Sequence, residues 1–159
     1  MKKRIMVDMS ATLIHHGHIR LLKKASEYGS VIVGLTSDKE IISKKKYEPE
    51  LKFKFRKEIL ESIKYVSEVV ETPWLLDEKV LDKYQIDLLV HGDDNSNLIE
   101  ASRLKLLPRT EGVSTSEIRK NSQRAITEIN NQKLMLTPGP AVVLQDNIEH
   151  LKPLFGRGD

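Results

Sequence analysis

With 159 residues, of which 39% are hydrophobic and 31% charged, the chain can bury one medium core but hardly two, so one main domain is expected. No run approaches the roughly 20 apolar residues of a bilayer span, the basic start Met1-Lys2-Lys3-Arg4 is followed only by a short apolar stretch broken by Asp8, and cysteine is absent. A disulfide framework, a cysteine zinc site and a thiol nucleophile are thereby excluded, secretion and membrane insertion are not expected, and a cytoplasmic enzyme or binding domain is expected. The net charge of +3 is uneven, with 15 Lys/Arg against 8 Asp/Glu in residues 1–64 and 11 against 15 thereafter. A basic half suggests an anionic partner.

In chain order, the clusters Arg4-Ile5-Met6-Val7, Val31-Ile32-Val33-Gly34-Leu35, Glu68-Val69-Val70, Asp87-Leu88-Leu89-Val90 and Leu104-Lys105-Leu106-Leu107 are short and apolar, and they read as buried strands. Helical spacing lies between them. It runs through Ile19, Leu22 and Ala25 with Gly29 as a stop, then Phe55, Ile59, Ile63 and Val66, then Leu76, Val80 and Tyr84. Such alternation predicts parallel strands joined by right-handed crossovers, a doubly wound α/β fold with a five-stranded parallel sheet. Ligands of such sheets sit at the carboxyl ends of the strands. Ser114-Thr115-Ser116-Glu117 then reads as a capping box opening a polar helix to about Ile126. The polar run 127–133 reads as a linker, and Leu134-Met135-Leu136-Thr137-Pro138-Gly139-Pro140 begins something new, so the expected division is 1–126 and 127–159.

Three segments carry chemistry. Leu13-Ile14-His15-His16-Gly17-His18 follows the first strand. A helix starting near Gly17 places His15 and His18 about its first turn, where free N–H groups and the dipole favour an anion. Two imidazoles donating to one phosphate would stabilise charge building in a phosphoryl-transfer transition state. An exposed His-rich turn or a chance metal site is the plainer alternative, but three His in four residues make awkward zinc ligands without a carboxylate. His91-Gly92-Asp93-Asp94 ends a strand, and its carboxylates can bond a ribose or base, stand beside magnesium, or simply form an acidic turn. Arg109-Thr110 follows the last strand and Ser114-Thr115 opens a helix, where cap and ligand roles can coexist. Lys44-Lys45-Lys46 is either a phosphate clamp or a solvated basic run. Aromatic residues make up only 5% and neither a recognition helix nor a stacking platform is present, so a small polyanion such as a nucleoside triphosphate fits better than nucleic acid.

In order and spacing these segments resemble the HxGH nucleotidyltransferase superfamily. His15-x-Gly17-His18 is similar to the HxGH signature and His91-Gly92-Asp93-Asp94 to an HGDD-type segment. Arg109-Thr110-Glu111-Gly112-Val113-Ser114-Thr115-Ser116 is similar to the RTxGxSTT signature of the cytidylyltransferase branch. The resemblance spans about residues 3–125. It implies a Rossmann-like fold, magnesium, and transfer of CMP from CTP to a phosphate or phosphonate with release of pyrophosphate. By the same resemblance His15 and His18 are catalytic, and Met9, Ser10, Gly17, His91, Asp93, Asp94, Arg109, Thr110, Ser114 and Thr115 serve the nucleotide. One or two of Lys44, Lys45 and Lys46, together with Arg56, hold phosphate or substrate. Thr12 departs from the pattern, standing where most relatives carry aspartate.

Met9-Ser10-Ala11-Thr12-Leu13-Ile14-His15 resembles cytidylyltransferase domains of phosphonate biosynthesis more than those that make CDP-glycerol, and the stretch from Leu134 to Asp159 is similar to the opening of 2-aminoethylphosphonate-pyruvate transaminase, a class V aminotransferase. The implied acceptor is 2-aminoethylphosphonate, in a homodimer with a fused aminotransferase domain. Glycerol-3-phosphate or hydroxyethylphosphonate as acceptor, or a non-catalytic nucleotide-binding module beside an aminotransferase, are the alternatives.

Overall fold

A computed structural model describes residues 1–135, so most of the aminotransferase-like stretch, from Leu136 onward, lies outside the described residues. The chain divides into two units at Thr115/Ser116. The first holds a five-stranded sheet built from β1 (Arg4–Met9), β2 (Ser30–Thr36), β3 (Val66–Thr72), β4 (Leu88–Gly92) and β5 (Leu104–Leu107). The spatial order is β3-β2-β1-β4-β5 and every pairing is parallel. All five strands fall where apolar clusters place them. The doubly wound α/β reading therefore holds.

Period-two alternation distributes each strand over two cores. Ile5, Val7, Val31, Val33, Leu35 and Val90 face one side, where Leu22 and Ala25 of α1 (His16–Ser26) and Leu60 of α3 (Phe53–Glu61) cover them. Met6, Ile32 and Leu89 face the other, against Leu81 of α4 (Glu78–Lys83) with Leu76 and Ile86. Burying a side chain of this size contributes about 1.5–3 kcal/mol, so two-sided burial makes β1, β2 and β4 the rigid centre of the fold. The chain adds β2 and β3 on one side of β1, then crosses to add β4 and β5 on the other. The strand order thus reverses between β1 and β4, and a cleft opens at their carboxyl ends.

Three local expectations are corrected. Val66 begins β3 instead of ending a helix, since α3 stops at Glu61 and Ser62 caps it. A further helix, α2 (Asp38–Lys45), occupies the segment between β2 and α3. Ser37 caps it by accepting the Glu40 N–H, but Ile41 is its single buried residue, so it carries almost no apolar periodicity. Finally, the run 127–133 is helical, because α5 extends from Thr115 to Met135. The segment has no glycine or proline before Pro138 to stop it, and Glu, Gln and Lys propagate a helix well. None of the α5 residues is buried.

Candidate active site

Ala11, with φ +44°, turns the chain sharply from β1 toward α1, and His15 caps that helix in an extended conformation. The cap is formed by the imidazoles themselves. His15 Nδ1 accepts the Gly17 N–H at 3.1 Å, and the His15 N–H donates to His18 Nδ1 at 3.1 Å. With Nδ1 an acceptor in both rings, the proton of each neutral imidazole is carried by Nε2, on the side away from the backbone. The ring centroids lie 4.0 Å apart. Burial, and next the neighbouring His15, push His18 down to about 4. His15 is also lowered, first by burial and then by the positive charges of His16 and Arg109. At neutral pH the pair presents two uncharged Nε2–H donors at a helix N-terminus.

Gly17 is dictated by the same geometry. A Cβ there would stand 2.8 Å from His15 Cε1 and 2.9 Å from its Nδ1, and 3.2 Å from Val113 Cγ1, so any side chain would push the imidazole off its cap. Val113 comes from the loop after β5, whose Gly112 adopts φ +74°. Thr115 opens α5 and donates its hydroxyl to the Leu13 carbonyl at 3.3 Å, tying that loop to the histidine turn.

A second corner forms at the ends of β1 and β4. His91 Nδ1 lies 2.5 Å from Asp8 Oδ1, and its Nε2 is 3.7 Å from Asp94 Oδ1. Asp94 Oδ2 in turn accepts from Arg109 Nη1 at 3.2 Å. Burial lowers the His91 pKa, but the Asp8 hydrogen bond and the charges of Asp8 and Asp94 outweigh it and Arg109, leaving a net rise. Asp8 and its partner Asn97 belong to this corner yet stand out from no sequence motif. Asp8 reads only as a charge interrupting an apolar run, and Asn97 as one residue of a polar loop.

The other expected residues are placed as follows. Asp93 is exposed, Met9 packs against the core, and its carbonyl accepts the Thr36 hydroxyl at 3.4 Å. Thr12 is buried, so that position presents neither a carboxylate nor appreciable surface. Thr110 and Arg109 line a groove of about 530 Å³ against Arg20, Lys23 and Lys24 of α1. Lys44 and Lys45 close α2 and Lys46 caps it with φ +63°. All three are exposed, and Lys45 Nζ sits 5.5 Å from the centre of the Trp74 ring.

Arg56 requires a correction. In place of holding an anion, its guanidinium is fully buried, with Nε on the Leu51 carbonyl at 3.0 Å and Nη1 on those of Ser10 and Thr36 at 2.6 and 3.0 Å. Nη2 meets Asp38 Oδ1 at 2.6 Å. These bonds satisfy a buried charge and pin the turn after β1 to the end of β2 and the start of α2, so Arg56 is a strut beneath the site. Ser10, expected at the nucleotide, gives its backbone carbonyl as one of these anchors.

A doubly wound parallel sheet with a histidine-capped helix at its switch point is the architecture of a nucleotide-binding type α/β domain. Residues 10–121 match the cytidylyltransferase-like family, and the chain belongs to it. It is similar to glycerol-3-phosphate cytidylyltransferase of Bacillus subtilis (strain 168), 34% identical over 122 residues that cover 74% of this chain and 95% of that protein. It is also 34% identical over 131 residues to ethanolamine-phosphate cytidylyltransferase of Arabidopsis thaliana, covering 72% of this chain. The chain spans only 31% of the length of that plant relative. A solved structure of a lipopolysaccharide core biosynthesis protein from Thermoplasma volcanium GSS1 shares the fold, with a TM-score of 0.53 at 20% identity over 59% of this chain and 77% of that one. The protein is thus a nucleotidyltransferase of the cytidylyl type. Among the described residues no helix is long and apolar enough to cross a membrane.

Proposed function

We propose that the protein transfers CMP from CTP to a small phosphonate, 2-aminoethylphosphonate, releasing pyrophosphate. The observation that carries the reaction class is the pair of uncharged Nε2–H donors of His15 and His18, held in place by backbone bonds at the start of α1. A phosphonate oxygen attacks the α-phosphorus of CTP in line, a P–O bond forms, and the bond to the β-phosphate oxygen breaks. Negative charge grows on the non-bridging and leaving oxygens, where preorganised neutral donors stabilise it without first releasing a proton. Positioning and charge stabilisation suffice, and no covalent intermediate on the protein is required.

Asp94 and Arg109 lie on the nucleoside side, and Ser114 and Thr115 at the helix opening cradle the distal phosphates. The exposed lysines of α2 are free to reach an anionic substrate. Magnesium would be carried by the oxygens of the bound triphosphate, as the resemblance implies. Bound there, magnesium neutralises part of the phosphate charge. A homodimer and a fused aminotransferase domain complete the proposal, the latter supported by the similarity of the stretch from Leu134 onward.

The acceptor is favoured by the Met9-to-His15 sequence and by the likeness to enzymes named for ethanolamine-phosphate, which differs from 2-aminoethylphosphonate by one bridging oxygen. Glycerol-3-phosphate is the second reading, favoured by the nearly full-length match to the Bacillus subtilis enzyme. Pyrophosphate release with CTP, magnesium and each acceptor in turn tests both. The expected order of kcat/KM is 2-aminoethylphosphonate, ethanolamine-phosphate, glycerol-3-phosphate. Glycerol-3-phosphate as the best acceptor overturns the phosphonate assignment, and no release with any acceptor overturns the reaction.

A further inference from the structure

We propose that Asp8 is a positioning residue for the nucleotide side of the site, holding the His91 ring so that its Nε2 faces Asp94 and the Arg109 loop. The inference rests on the nucleotide-side reading of Asp94 and Arg109 given above. The register places Val7 of β1 beside Val90 of β4, so the next pair is Asp8 and His91, the point at which the two switch-point strands leave the apolar core.

The Asp8 side chain is only 11% exposed, and a carboxylate so placed is costly unless each oxygen is satisfied. Both are. Oδ1 meets His91 Nδ1, and Oδ2 accepts from Asn97 Nδ2 at 3.0 Å. Asn97 is itself buried and anchored, because its Oδ1 accepts the Leu76 N–H at 2.7 Å. The carboxylate is therefore backed by an amide that cannot turn without breaking a buried backbone bond.

Stability alone does not account for such an arrangement, since replacing a whole buried ion pair by apolar side chains is commonly neutral or stabilising. Its effect is on His91. The groups facing this ring are Asp8 from β1 and Asp94 and Arg109 from the loops after β4 and β5. With Nδ1–H held by Asp8, a neutral ring would turn the Nε2 lone pair toward the Asp94 carboxylate. An imidazolium instead turns an N–H toward it. When the ring is protonated, Asp94 lies between His91 Nε2, 3.7 Å from its Oδ1, and Arg109 Nη1, 3.2 Å from its Oδ2, and its position and that of the Arg109 loop are set from Asp8.

Because Asp8 acts through His91 and not on the reacting atoms, its removal should weaken CTP binding with little change in turnover. The test uses the full chain carrying Asp8→Asn, His91→Gln and both. Asp8→Asn is expected to raise the CTP Kd and KM about tenfold, with kcat within about twofold and a lowered titration midpoint for His91 by NMR. In the His91→Gln background the same change should add less than about twofold. Fully additive losses, or a CTP affinity unchanged by Asp8→Asn, overturn the proposal. If Asp8→Asn does not fold, the wild-type His91 nitrogens and the single His91→Gln variant decide. A protonated Nδ1 with a raised CTP Kd supports the role, and an unprotonated Nδ1 overturns it. A wild-type chain that binds CTP but releases no pyrophosphate with any acceptor sinks the reaction proposed above, and Asp8 is then judged on Kd alone.

Discussion

The site is built from histidines in two opposite electrostatic states. At the start of α1, His15 and His18 take backbone N–H groups on Nδ1, and both are lowered, first by burial and then by His16 and Arg109 at His15 and by His15 at His18. At the end of β4, His91 gives Nδ1 to a carboxylate, and two acidic neighbours reverse the effect of its burial. The same side chain thus has its pKa lowered in one corner and raised in the other. What decides between them is whether Nδ1 meets a donor or an acceptor. A neutral donor suits a place where charge appears only during reaction. A ring held by a carboxylate suits orienting groups that are charged from the start.

The contrast is broken most directly at His18. His18→Ala is expected to lower kcat by about 10²–10³, roughly 2.7–4 kcal/mol, while the CTP Kd changes far less. His16→Ala, in the exposed position between them, should lose little, and melting temperatures of all variants separate a catalytic loss from an unfolded protein. Near wild-type turnover in His18→Ala would remove the pair from the mechanism.

Protonation acts with opposite sign in the two corners. His18 has a folded pKa of about 4 against 6.5 when unfolded, so the unfolded chain takes up the proton first. Stability is therefore lost as pH falls from 6.5 to 4, by about 3 kcal/mol. His91 is raised, so its contribution is full below 6.5 and is lost as pH climbs through its folded value. Denaturation midpoints of His18→Gln and His91→Gln, each subtracted from wild type across pH 4–8, should slope in opposite directions. Equal slopes would mean that the two corners do not differ.

Gly17→Ala gives a smaller effect confined to the first corner. The added methyl displaces the His15 ring, and a shift of that kind should cost about ten- to a hundredfold in kcat. The titration of His91 should stay unchanged. A kcat within twofold of wild type would show that the His15 cap tolerates movement and that its fixed orientation is not used.

Much of this was legible in the chain. Short apolar clusters separated by helical spacing marked all five strands, most clearly β1, β2 and β4, because a strand buried on both faces must be apolar throughout. The histidine turn, the HGDD segment and the loop from Arg109 were legible for a related reason: each is a local run whose backbone and side chains act together within a few residues. The helix α2 was not, since one buried isoleucine leaves no periodic stripe to read. Nor was the helical continuation through 127–133, whose polar composition looks the same in a linker as in a solvated helix. Arg56 shows where residue type misleads. An arginine in a basic stretch reads as an anion binder, and only the packing of three backbone carbonyls and Asp38 around it makes it a strut. Asp8 shows the converse. Its partner lies 83 residues away and meets it because β1 and β4 pair in one particular register, which no window along the chain contains. Fold class and local motifs follow from patterns a few residues long. The raised pKa of His91 was decided by a long-range contact with Asp8 that exists only once the sheet has formed.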